Sequence, residues 1–98
     1  MTINKTGSGS KLTLALAGRL DTVTAPELEK ELQDSLEGID TLIFDFSGLE
    51  YVSSAGLRVL LSAQKTMNKQ GEMKLTHVNE SIMEILEVTG FTDILTFE

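Results

Sequence analysis

Leu12, Leu14 and Leu16 alternate with Thr13, Ala15 and Ala17, which puts the three leucines on one face of an extended strand. Gly7–Ser10, "GSGS", is turn chemistry between this strand and a shorter extended segment, Thr2–Thr6, so the chain opens with a hairpin. Glycine-rich loops also cradle phosphate, but this one lacks the Gly-Lys-Ser/Thr ending of a P-loop and opens no helix.

The periodicity then changes. Leu28, Leu32 and Leu36 form one helical stripe. Thr24 and Glu27 have capping-box spacing, Val23 and Leu28 sit where a hydrophobic staple would, Pro26 falls in the first turn, and Gly38 marks the end. Thr41–Phe46, "TLIFDF", is nearly continuous apolar sequence broken by Asp45 and reads as a covered central strand. Leu57, Leu60, Leu61 and Met67 return to helical spacing, closed by Gly71. "MKLTHV" supplies a fourth strand. Asn79 is placed to cap a third helix with Ile82, Ile85, Leu86 and Thr89 on its face. Gly90 is expected in a left-handed conformation, with Phe91 folding back on the last turn, and "ILTF" gives a final short strand.

The expected order is β-β-α-β-α-β-α-β in one domain spanning residues 1–98. Strands alternating with helices imply right-handed crossovers and a mixed, mostly parallel sheet of four to five strands, to which the opening hairpin adds an antiparallel edge.

Composition narrows the function. The chain has 98 residues, no cysteine, and 15 acidic against 8 basic residues, a formal net charge of −7. No thiolate metal site or disulfide is possible, and no His/Cys cluster accompanies Asp21, Asp45 and Glu50. No basic stripe suits nucleic acid, and no apolar run approaches a membrane span or a signal peptide, so neither nucleic-acid binding nor membrane insertion is expected. The reading is a cytoplasmic protein without a cofactor, whose partner is another protein or a small ligand.

"YVSSAGLRVLL", residues 51–61, places Ser53 and Ser54 where a buried strand hands over to a helix. Catalysis would need a base and an orienting group. His77 is the only histidine, and "VSSAG" is not the Gly-x-Ser-x-Gly elbow, so the chain does not read as an enzyme. Either serine could instead be the helix N-cap, worth about 1 kcal/mol. Modification is the third possibility. A helix N-terminus carries unpaired N–H donors and partial positive charge, so a phosphate there leaves the fold intact and acts on a docking surface. In open α/β sheets, that strand end is where partners gather.

"DFSGLEYVSSAGLRVLL" resembles the signature of the STAS domain, named for sulfate transporters and anti-sigma factor antagonists. "LALAGRLDTVTAPEL" and "ILEVTGFTDILTF" resemble the family's second strand with its turn into the first helix, and its third helix with its last strand. A free-standing domain of this kind looks most like a bacterial anti-anti-sigma factor. That resemblance implies a serine phosphorylated by a partner anti-sigma factor that is also a serine/threonine kinase of histidine-kinase-like fold. It also implies a PP2C-type phosphatase that removes the mark. The unphosphorylated form would bind the anti-sigma factor and free a sigma factor. The acceptor position falls on Ser54. Ala55 takes the place of a second hydroxyl, and Ser53 stands where many members carry aspartate. Asp21 matches a family aspartate near the kinase-facing edge. The family's usual fourth helix has no counterpart before Glu98.

The expected partner surface comprises Asp21 and Thr22 together with Ser53, Ser54, Ala55, Gly56 and Arg58. Arg58, one turn after Ser54, is placed to pair with its phosphate. Asp45 is expected at the strand end, anchoring backbone N–H groups of the loop that carries Ser54. The alternatives are a non-phosphorylated STAS subunit docking on a transporter ATPase or sensory assembly, and a binder of nucleotide or lipid.

Overall fold

A computed structural model describes residues 1–98. Four strands form one sheet in the order β1-β2-β3-β4: β1 (Thr2–Ser8), β2 (Lys11–Leu20), β3 (Thr41–Val52) and β4 (Glu72–Thr76). β1 pairs antiparallel with β2, and the other pairs are parallel. Three helices connect and cover them: α1 (Ala25–Ser35), α2 (Ser54–Gln70) and α3 (Glu80–Val88).

The leucine alternation determines which face is covered. Leu12, Leu14 and Leu16 meet Leu42, Phe44 and Phe46 of β3 and Met73 and Leu75 of β4 in one buried layer. Leu28 and Leu32 of α1, Leu60, Ala63 and Met67 of α2, and Ile82 and Leu86 of α3 complete the same cluster. Burying each of these larger side chains contributes about 1.5–3 kcal/mol. Thr13, Ala15, Ile43, Asp45 and Thr76 occupy the opposite face and remain partly exposed. No helix is long and apolar enough to cross a membrane.

Two side chains tie the helix ends to this frame. Gln70 Nε2 donates to the carbonyls of Leu36 and Ile39, tying the end of α2 to the turn that follows α1, where the Leu36 carbonyl also accepts from the Ile39 N–H. Asn79 Oδ1 accepts from the Ile82 N–H, capping α3, while its Nδ2 donates to the Leu49 carbonyl of β3. Gly71 is required by crowding rather than by dihedral angle, because a Cβ there would overlap the Asp40 carbonyl.

Three local expectations are corrected. Thr24 makes no side-chain cap; its hydroxyl turns back to the Arg19 carbonyl at 2.7 Å, so no box forms with Glu27. Val23 is 82% exposed, so it staples nothing to buried Leu28. The final strand shrinks to a bridge between Leu75 and Phe97, preceded by a 3₁₀ turn at Phe91–Asp93. Gly90 does adopt the left-handed conformation, at φ 80°.

Candidate functional site

The site is built where the C-terminal ends of β2 and β3 turn into α1 and α2. β3 runs on beyond Phe46 to Val52 and stays paired with β2 to the level of Leu20 through two register shifts. The Ser53 N–H then donates to the Leu20 carbonyl at 2.8 Å, fixing the start of α2 against the end of β2.

The two serines divide their roles. Ser53 has extended backbone and its Oγ accepts from the Gly56 N–H at 3.3 Å, so Ser53 is the N-cap. Ser54 is the first residue of α2 and is exposed, and its hydroxyl makes no hydrogen bond within the protein. A hydroxyl free of structural duty thus sits at the positive end of a helix of 17 residues.

Gly56 is buried, and a Cβ there would come within 2.7 Å of Leu20 Cγ and 2.9 Å of Val52 Cγ2. The close approach it permits is to the protein's own core, so Gly56 supports the surface from beneath rather than touching a partner.

Thr22, Ala55 and Arg58 come together in a groove of about 230 Å³ between α1 and α2, with Glu29 and Ser62 on its walls. Arg58 is exposed and one helical turn from Ser54.

Asp21 holds the β2–α1 turn. Its Oδ1 accepts from the N–H groups of Val23 at 3.0 Å and Thr24 at 3.1 Å, and lies 3.2 Å from the Thr24 hydroxyl. The Thr24 hydroxyl in turn accepts from the Asp21 N–H. The bond from the Thr24 N–H, helped by the Thr24 hydroxyl, the Val23 N–H and the Arg19 charge, holds the Asp21 carboxyl below its ordinary value against desolvation.

Asp45 does not anchor the Ser54 loop. It lies mid-strand in β3, where its Oδ1 accepts from the Ser47 N–H at 2.9 Å and sits 3.1 Å from His77 Nδ1. The expectation fails because β3 continues for seven residues past Asp45, so this carboxylate serves the irregularity at Ser47 and the β4–α3 connection instead. The Ser47 N–H, and secondarily His77, hold its carboxyl below the ordinary value despite desolvation. The His77 ring is thereby engaged with Asp45 and Thr76 on the outer face of the sheet.

One pair escaped the sequence reading. Arg19 and Tyr51 are opposite each other across β2 and β3, and the Arg19 guanidinium carbon lies 4.3 Å from the centre of the Tyr51 ring. The sequence signal was an aromatic residue just ahead of the serine loop, but the match to Arg19 depends on the register shift after Gly18.

The chain is similar in sequence and in fold to known proteins. The chain is 35% identical to BtrV of Bordetella bronchiseptica over 85% of its own length and 73% of that protein. It is 32% identical to the anti-sigma-B factor antagonist of Listeria monocytogenes, covering 82% of this chain and 72% of that one. Among solved structures, the unphosphorylated form of the anti-sigma factor antagonist SpoIIAA superposes with a TM-score of 0.80 at 14% identity, covering 99% of this chain and 87% of SpoIIAA. A sequence model of the STAS domain matches residues 2–98, and the chain belongs to the STAS domain family.

Proposed function

We propose that this protein is an anti-sigma factor antagonist switched by phosphorylation of Ser54. Its unphosphorylated form binds an anti-sigma factor that is also a serine/threonine kinase, and the bound anti-sigma factor releases its sigma factor. Phosphate on Ser54 ends the binding, and a PP2C-type phosphatase restores it. The observation that carries this reading is the division between the two serines: Ser53 caps α2 while Ser54 stands exposed and unbonded on the same turn. The relatives that are anti-sigma-B factor antagonists supply the class of partner.

The switch is electrostatic. Phosphate adds about −1.5 to −2 charge, which the helix N-terminus accommodates without refolding. Moving a partner from 99:1 bound to 1:99 takes about 5.5 kcal/mol of differential affinity. Desolvating a dianion in an interface with no receiving cation costs several kcal/mol, which is the same range. Arg58 lines the adjoining groove and pairs with the phosphate, offsetting part of that repulsion.

Incubation with the cognate anti-sigma factor kinase and ATP, read by intact mass, tests the assignment. One phosphate is expected on the wild type and none on Ser54→Ala. Phosphate on the Ala variant would move the acceptor elsewhere, and none on either would favour a STAS subunit that docks without a covalent switch.

A further inference from the structure

The strand ends around Ser54 carry a cation that the phosphorylation scheme leaves unused. Arg19 and Arg58 are the only arginines in the chain. The lysines lie elsewhere: Lys5 and Lys74 within β1 and β4, Lys11 at the opposite end of β2, Lys30 midway along α1, and Lys65 and Lys69 in the second half of α2. On a surface that is acidic overall, the two arginines mark this edge alone.

Arg19 is also the better ordered for recognition. Its guanidinium is laid over Tyr51 at 4.3 Å, an arrangement that fixes a planar cation without consuming its donors. Its Nε is 3.8 Å from Asp21 Oδ2, beyond hydrogen-bond range, and its Nη groups donate to no protein acceptor. The side chain is 59% exposed. Leu20, the next residue, receives the Ser53 N–H, so the Arg19–Tyr51 pair is rigidly coupled to the start of α2.

We propose that Arg19, held flat on Tyr51, is a docking residue that receives a carboxylate of the anti-sigma factor. A planar fork with free Nη donors fits a carboxylate in bidentate fashion. An oriented cation set in an acidic surface fixes the register of a mixed-charge interface. This rests on the reading of the protein as an anti-sigma factor antagonist. It adds to the switch, because phosphate on Ser54 places negative charge on the edge where the partner's carboxylate must sit.

The test measures the affinity of purified anti-sigma factor kinase for wild type, Arg19→Ala, Arg19→Lys and Tyr51→Leu at several salt concentrations, together with the kinetics of Ser54 phosphorylation. Arg19→Ala is expected to weaken binding by about tenfold, the loss typical of an important interface residue. It should also raise KM with kcat unchanged and flatten the salt dependence. Arg19→Lys should recover only part of the loss, because the planar fork is gone, and Tyr51→Leu should weaken binding with the charge intact. Arg19→Ala and Arg19→Lys binding like wild type at every salt concentration would overturn the docking role while leaving the antagonist function standing. A wild type that neither binds the kinase nor takes phosphate would overturn that function, and the docking role with it.

Discussion

The Ser53 N–H donates to the Leu20 carbonyl at 2.8 Å, and this bond joins the two strand ends on which the candidate site is built. It sets Ser53 in extended backbone, from which its hydroxyl reaches the Gly56 N–H and leaves Ser54 as the first exposed residue of α2. The two serines therefore separate in stability. Ser53→Ala is expected to cost about 1 kcal/mol in urea unfolding. Ser54→Ala should stay within about 0.5 kcal/mol of wild type, because its hydroxyl holds nothing. The reverse order would show that Ser54 is the cap.

Gly56 lies directly beneath that junction. A methyl group there meets Leu20 Cγ, Val52 Cγ2 and the Leu20 carbonyl, all between 2.7 and 3.0 Å. Leu20 and Val52 are buried and have little room to shift. Gly56→Ala should therefore destabilise the fold by about 1–3 kcal/mol, measured by chemical denaturation. Unchanged stability would mean that the junction is looser than its contacts indicate.

These positions also show what could be read from the sequence. Alternation identified Leu12, Leu14 and Leu16 as core, helical spacing identified Leu28, Leu32 and Leu36, and Asn79 and Gly90 carried their own capping chemistry. Local signals sufficed there because the partners lie within a few residues. The choice of Ser53 over Ser54 as cap was not legible, since it depends on a carbonyl in another strand. The extension of β3 to Val52 was hidden by Ser47, Gly48 and Glu50: Gly48 pairs with Ala17 only after a register shift, and Ser47 and Glu50 are skipped at the two shifts and have no partner in β2. Thr24 and Glu27 had the spacing of a box, but the Arg19 carbonyl and the Asp21 N–H claimed the Thr24 hydroxyl.

Gln64 is the one buried polar side chain, 6% exposed, and its Oε1 has no hydrogen-bond partner while its Nε2 donates to Asn68. An unsatisfied buried acceptor carries its full desolvation cost. Gln64→Met, similar in volume and apolar, should raise stability by about 1 kcal/mol in the same unfolding assay. A loss of stability would mean that the Gln64–Asn68 bond outweighs the stranded oxygen.

Acid should weaken the protein through Asp21 and Asp45. Both carboxyls sit below the 3.8 of a free aspartate because backbone N–H groups bond their charged forms. The unfolded chain therefore takes up protons first as pH falls. Their contribution is fully present above pH 3.8 and is lost as pH drops through the lower folded-state values. The melting temperature should decline below that point, and the Asp21→Asn, Asp45→Asn double variant should show a flatter decline. Equally steep curves would assign the acid sensitivity to other groups.

The most direct measurement of the central claim is the affinity of one anti-sigma factor kinase for the purified protein with and without phosphate on Ser54. The account predicts tight binding by the unphosphorylated form and a loss of about four orders of magnitude on phosphorylation, with the far-ultraviolet circular dichroism unchanged. Equal affinity of the two forms, or a loss of binding that accompanies unfolding, would contradict it.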